Sequence, residues 1–354
     1  MGDKMFYKYD IKKFNNEDVL YLYLSMNEEF ATDSINNERD LEECIDAFLT
    51  HNGIAYDGNK VFLVVNGIII KSIDIKNKQI EILDKDDDDG YNNSSFMVKI
   101  KNENQENNSI SLNDYLLGAL FTNISYSFDV EVIKAVTILY RSYIFYKMGK
   151  DGFLDINDDF IKYKNYSYYK LLWADKYNDI YNKFSLAIEE TDSMFITYNN
   201  IFIMPFIHHT NNGYTNSLKG VDYLKKRASL WDLLSPVYMD IKEFDYRKLE
   251  SIFSLNKEEI QEIKILELSD SNYINKIKVG ADIYTGEEFR EKLNLKSCDI
   301  TILINDKNIK FVTRGVGKCV GLSLSGSNEL SKAGCNYLQI LNYYFPDCKI
   351  KKYK

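Results

Sequence analysis

The run from Thr313 to Gly326 constrains this chain more than any other, because it sets glycines at 315, 317, 321 and 326 in a sequence that holds only 17 glycines. Glycines so closely spaced mark a backbone that needs positive φ angles or close approach by another group. Downstream, Glu329, Leu330, Ala333, Leu338, Ile340 and Leu341 have the mixed apolar spacing of a helix, with Pro346 just past its end. Spacing alone therefore describes a Gly-rich turn leading into a core helix. The strand–GxxxxGKS/T–helix order of a phosphate loop is missing, so the run makes no case for a nucleotide.

The residues of this run resemble the C-terminal signature of the stage II sporulation protein D and amidase enhancer family, bacterial proteins of peptidoglycan remodelling. That signature reads roughly G-R-G-x-G-H-G-V-G-M-S-Q-x-G-A, followed by M-A-x-x-G-x-x-Y-x-x-I-L-x-x-Y-Y-P-G. Arg314, Gly315, Gly317, Val320, Gly321, Ser323 and Gly326 fall on its first part. Gly334, Tyr337, Ile340, Leu341, Tyr343, Tyr344 and Pro346 fall on its second, with slightly adjusted spacing. Upstream, Asp114 to Gly118, then Phe128, then Glu131 to Ala135 and Arg141 to Tyr143 are similar to the family's Y-L-x-G-V-V-A-A-E-M-P-x-S-F-x-x-E-A-L-K-A-Q-A-V-A-A-R-T-Y block. Trp173 to Asp175 resembles W-A-D-D-Y, His208 to Thr215 resembles H-S-T-S-G-G-R-T, and Thr285 to Ser297 resembles S-G-x-E-F-R-x-x-L-G-L-R-S. The resemblance covers about residues 96 to 350 and leaves out the first quarter of the chain.

What the resemblance implies depends on where the chain departs from it. The family's proposed catalytic acid is the Glu of A-A-E-M-P, and Asn123 stands there. An amide neither donates nor takes a proton near neutral pH, so it cannot act as general acid on a glycosidic bond. Lys318 replaces the signature His, Cys319 the following Gly, and Leu324 the Gln after Ser323. Glu131, Asp129 and Asp114 lie close by in sequence; Glu131 reads as a first-turn acid facing the helix dipole, and a relocated catalytic acid is the lesser alternative. The resemblance thus leaves no intact catalytic residue. It implies a substrate groove formed by Asn123, Arg141, His208, Thr215, Arg314, Lys318 and Ser323, with peptidoglycan glycan strands or a cell-wall hydrolase as partner. Three readings follow: a catalytically impaired glycan-binding or scaffold protein, an active lytic transglycosylase with a relocated acid, and a cytoplasmic structural protein that reuses the fold.

Charge and cysteine usage narrow the classes further. A net charge of −9 argues against nucleic acid, since neutralising phosphates needs a clustered Lys/Arg excess. The basic runs Lys225 to Arg227 and Lys349 to Lys354 are short and read as solvated surface or tail. No apolar run approaches the length of a membrane span, and the polar N-terminus carries no secretory signal. The default expectation is therefore the cytoplasm, whereas family members work outside the membrane. Cysteines at 44, 298, 319, 335 and 348 are scattered without CxxC spacing, which fits unpaired thiols. His208 and His209 are adjacent, so on a strand they face opposite ways and do not share a metal easily. Neither metal nor cofactor is expected.

With 45% apolar and 27% charged residues the chain is globular. Its expected class is α+β: one large mixed sheet-and-helix domain over 96–354 with a β-containing N-terminal extension over 1–95. Val19 to Leu24 reads as a strand, and Leu41 to Leu49 as a short helix. Val61 to Ile70 reads as two strands around Asn66-Gly67, a strong hairpin signal. Asp84 to Asn93 is an acidic low-complexity stretch without the ligand alternation of a calcium loop and reads as a mobile linker. Helices are expected over Val130 to Lys147, over 174–190 and over Gly286 to Leu293. Strands are expected at Ile196 to Phe206 around Asn199-Asn200, at Ile263 to Leu266, at Ile274 to Val279 and at Ile300 to Ile304. Residues 216 to 245 are the least readable, with Trp231 and Tyr238 as core or groove aromatics.

Overall fold

The computed structural model describes residues 53–57, 60–65, 68–83, 96–101, 107–151, 153–155, 158 and 160–353. The strand at Val19 to Leu24, the helix at Leu41 to Leu49 and the acidic run Asp84 to Asn93 lie outside them. The architecture is α+β, as expected, with small sheets, mostly antiparallel, and helices between them. Two compact units interleave along the chain. One ends its opening segment at Asp74 and resumes through Ile207–Gly220 and Lys225–Glu329; the other takes Ile75–Phe206, Val221–Leu224 and Leu330–Lys354.

The second unit is built around the helix Val130–Asp151. Val132, Ile133, Ala135, Val136, Ile138, Leu139 and Ile144 are all inaccessible to solvent, so this helix is apolar on nearly every side, as a central helix must be. Against it pack the helices Leu112–Asn123, Tyr177–Glu190 and Tyr337–Tyr344 and the strand Met194–Tyr198. A four-stranded sheet runs in the order Ile80–Leu83, Lys349–Tyr353, Met194–Tyr198, Ile201–Phe202, so a strand from the far end of the sequence sits inside it. The strand pair expected around Asn199-Asn200 is present. Both asparagines take positive φ (50° and 64°), the conformation that a two-residue hairpin loop with the strands' own twist requires.

In the first unit, Met239–Asp245, Asn308–Arg314 and Asp299–Ile304 form an antiparallel sheet with Asn308–Arg314 in the middle. A meander of Lys264–Leu268, Ile274–Val279 and Asp282–Thr285 and the helices Tyr246–Phe253 and Gly286–Lys292 share its core. Leu249, Phe253, Ile260, Ile277, Phe289, Ile309 and Phe311 fill that core, with the Phe253 and Phe289 rings stacked at 5.9 Å. Lys60–Val65 and Ile68–Asp74 flank Asn66-Gly67 as an antiparallel pair, as their sequence predicts.

One expectation is corrected. The apolar positions from 329 to 341 belong to two helices, Leu324–Lys332 and Tyr337–Tyr344. Gly334 between them adopts φ 107°, which a helix cannot hold. Asn336 then restarts the chain with a capping box: its side chain accepts from the Gln339 backbone N–H, and the Gln339 side chain accepts from its own. Mixed apolar spacing across that stretch is the sum of two periodicities.

Candidate functional site

The position that matches the family acid ends the helix Leu112–Asn123. Asn123 Nδ2 donates to the carbonyl oxygens of Ala119 and Lys162, each at 2.7 Å. An ionised carboxylate only accepts, so an acid at this place could make neither bond. The irregular segment at Tyr163 and Lys164 lies close against the same helix. Gly118 has no Cβ to spare, because one built there would lie 2.4 Å from the Lys164 carbonyl oxygen and 2.6 Å from the Tyr163 ring. Tyr163 stacks on Tyr115 at 4.8 Å, and Tyr169 Oη donates to Thr122 Oγ1 at 3.0 Å.

The carboxylates nearby are engaged in structure. Asp114 accepts from Ser111 Oγ at 2.6 Å, within the cap of its helix. Asp129 precedes the helix Val130–Asp151 and accepts from the Glu131 backbone N–H at 3.0 Å and from Ser331 Oγ at 2.7 Å. Burial pushes its carboxyl up, but these donors, with Lys183 and Lys134, outweigh burial and hold it below the usual range. Glu131 accepts from Lys134 Nζ at 2.5 Å and from the Tyr337 backbone N–H at 2.8 Å. Arg141 is wholly buried and donates through Nη1 to the carbonyls of Thr191 and Met194, at 2.8 and 2.7 Å. Burial lowers its guanidinium to about 10.

The first unit holds a different arrangement, centred on a residue that the sequence reading passed over. Asp232 is completely buried in the short 3-10 turn Leu230–Leu234. Its Oδ1 accepts from Thr210 Oγ1 at 2.9 Å, from the Asn211 backbone N–H at 3.3 Å and from the Ser323 hydroxyl. Its Oδ2 accepts from Asn211 Nδ2 at 3.0 Å and from the Ser229 hydroxyl. Asn211 Nδ2 also reaches His208 Nε2 at 3.2 Å, while His208 Nδ1 lies 3.0 Å from the Val320 carbonyl. A carbonyl can only accept, so Nδ1 carries the proton and Nε2 is the acceptor. Burial pushes the Asp232 carboxyl up to about 6 and the His208 imidazole down to about 4. At neutral pH His208 is therefore uncharged.

The Gly-rich run is moulded onto this network. Gly315, Gly317 and Gly321 all adopt positive φ, as their density in the sequence predicts. A Cβ on Gly317 would sit 3.0 Å from the His208 Cβ, and the parallel pair Ile207–His208 with Leu322–Ser323 joins the two loops directly. Arg314 Nη1 meets Asp299 Oδ1 at 2.6 Å and Nη2 donates to Thr301 Oγ1 at 2.8 Å. Asn212 Nδ2 donates to the other Asp299 oxygen at 2.7 Å. The Thr215 hydroxyl donates to the Lys225 carbonyl at 3.0 Å and accepts the Arg227 backbone N–H at 2.8 Å. Lys318, where the family signature has His, is exposed at the tip.

Of the seven residues singled out from the sequence, His208, Thr215, Arg314, Lys318 and Ser323 lie in the first unit, and Asn123 and Arg141 in the second. His208, Thr215, Arg314 and Ser323 are buried and hold the loops together; among these five, Lys318 faces solvent. Asp232, Asn211, Asn212 and Asp299 were missed. The signal was a carboxylate inside the apolar run Leu230 to Leu234, which must be buried with partners or not at all. His208 is buried and His209 exposed, as adjacent strand residues should be. Among the described residues no group of three or more His, Cys, Asp or Glu could hold a metal ion, and no helix is long and apolar enough to cross a membrane. Burial pushes the thiols of Cys319, Cys335 and Cys348 up to about 12, so they are inert.

Comparison with known proteins agrees with the motif resemblance. Residues 101–198 match the family model described as stage II sporulation protein. The chain is similar to stage II sporulation protein D of Bacillus subtilis (strain 168), 27% identical over 263 residues, which span 70% of this chain and 77% of that protein. It is also similar to stage II sporulation protein D of Bacillus amyloliquefaciens, 25% identical over 270 residues, 72% of this chain and 78% of that one.

Proposed function

We propose that this chain is a sporulation-related cell-wall protein that holds glycan strands without cleaving them. The observation that carries this reading is the amide of Asn123. Both of its N–H groups donate to carbonyls where the related proteins' pattern places the acid, so its surroundings suit an amide and oppose a carboxylate. The nearby alternatives do not offer a free acid. Asp114 accepts from the capping Ser111 hydroxyl, Asp129 accepts from the first turn of its helix, and Glu131 anchors Lys134 and the Tyr337 backbone. Losing a general acid costs about 10²–10⁴-fold in rate. Exposed Lys318 is the groove candidate of the first unit able to meet a ligand, while buried His208, Thr215, Arg314 and Ser323 shape the loop that presents it. Scaffolding for a wall hydrolase is compatible with the same geometry.

The test is retention on insoluble peptidoglycan combined with an assay for anhydro-sugar products from denuded glycan strands. The protein should be retained and should release no product. Asn123→Glu should stay inert, because a carboxylate can make neither bond that holds the Asn123 amide and Lys318 still replaces the signature His. Product release by the unmutated protein would establish an active lytic transglycosylase and overturn the reading. Failure to be retained would favour a structural role away from glycan.

A further inference from the structure

The short helix Ser167–Trp173 in the second unit carries apolar residues on its outward as well as its inward face. Its inward face is aromatic and satisfied: Tyr169 donates to Thr122 Oγ1, and Tyr169 and Trp173 pack edgewise on Phe121 at 5.5 and 4.7 Å. Its outward face should be polar, yet it presents Tyr168, Leu171 and Leu172, with 53, 90 and 61% of their surface exposed. These three sit at i, i+3 and i+4, so they form one continuous apolar face. Tyr126, 42% exposed and edge-on to Trp173 at 5.9 Å, widens it. Leaving two leucines in water forgoes the burial that either could gain.

Charge says what covers this face. Between residues 161 and 176 the chain carries Lys162, Lys164, Lys170 and Lys176, all exposed, against the single carboxylate of Asp175. That excess stands out in a chain whose net charge is −9. Lys164 Nζ lies over the Tyr168 ring at 4.8 Å, so cation and apolar face are adjacent in space as well as in sequence. Tyr, Trp and Lys around exposed leucines match an interface that is apolar below and anionic at its rim: rings sit at headgroup level, and lysine stems lie along the apolar surface with their ammonium groups among phosphates. A glycan would use the tyrosine and tryptophan rings but gain little from Leu171 and Leu172. We propose that this face seats the protein on an anionic lipid surface, with Leu171 and Leu172 inserted at the headgroup boundary and the four lysines on the lipid phosphates.

The experiment is flotation of the full chain with vesicles of phosphatidylglycerol and phosphatidylcholine, beside vesicles of phosphatidylcholine alone. Binding should be seen with the anionic vesicles, fall steeply as salt is raised, and be weak on the neutral ones. Leu171→Glu with Leu172→Glu should abolish it, and each lysine changed to Gln should weaken it roughly fivefold. Both leucines are solvent-exposed, so the thermal unfolding of the double variant should match that of the parent, and peptidoglycan retention should be unchanged. Absence of binding to anionic vesicles would overturn the proposal. So would binding that survives the double leucine change, or a parent that self-associates through this face by sedimentation and ignores vesicles.

Discussion

Asp232 and His208 share one hydrogen-bonded network through Asn211, and their protonation pulls stability in opposite directions. His208 titrates near 4 in the fold against 6.5 when free, so the unfolded chain binds the extra proton between these values. Stability is then lost as pH falls through that window, about 3 kcal/mol in full. Asp232 titrates near 6 against 3.8, so here the folded chain binds the extra proton, and stability is lost as pH rises through that window. The two slopes offset each other between roughly pH 4 and pH 6. His208→Asn keeps a donor for the Val320 carbonyl but removes the titration. Denaturation midpoints of this variant should therefore decline from pH 4 to pH 6 while the parent stays level. A variant as level as the parent would mean that Asp232 is ionised throughout. The network was only half legible in the sequence. His208 and Ser323 announced themselves by motif, whereas Asp232 lies in a stretch without periodicity, because a 3-10 turn closed by side chains leaves no repeat to read.

Elements with a regular local cause were the readable ones. The Val130–Asp151 helix, the Ile274–Val279 strand and the turn at Asn199-Asn200 follow from spacing and turn chemistry within each segment. The two short helices after Gly321 did not, because the break between them depends on one left-handed glycine and one capping asparagine. Gly118 shows the same limit from the other side. Mid-helix glycine is normally a weakness, and its reason appears only when the chain at Tyr163 and Lys164 lies against it. Gly118→Ala should gain helix propensity and still lose stability, by about 1–3 kcal/mol through overpacking. A calorimetric midpoint several degrees below the parent is the expected result; an unchanged or higher midpoint would show that the 160s segment can move away.

At the scale of the molecule, the interleaving of the two units makes neither one a contiguous piece of sequence. The matched span 101–198 lacks four parts of its own unit, among them the strand Lys349–Tyr353. That strand pairs in parallel with Ile80–Leu83 and antiparallel with Met194–Tyr198, so removing it opens the sheet in the middle. A chain ended at Cys348 should lose the cooperative unfolding transition of this unit, and amide exchange should report unprotected Ile80–Leu83 and Met194–Tyr198. Retained protection at both strands would show that the sheet closes without its inner member. The same placement sets a schedule for synthesis. The helix Val130–Asp151 leaves the ribosome some two hundred residues before the strand that completes the sheet beside it, so at about 5–20 residues per second it waits on the order of ten to forty seconds with apolar surface uncovered. During that interval the nascent chain exposes the kind of surface that holding chaperones bind.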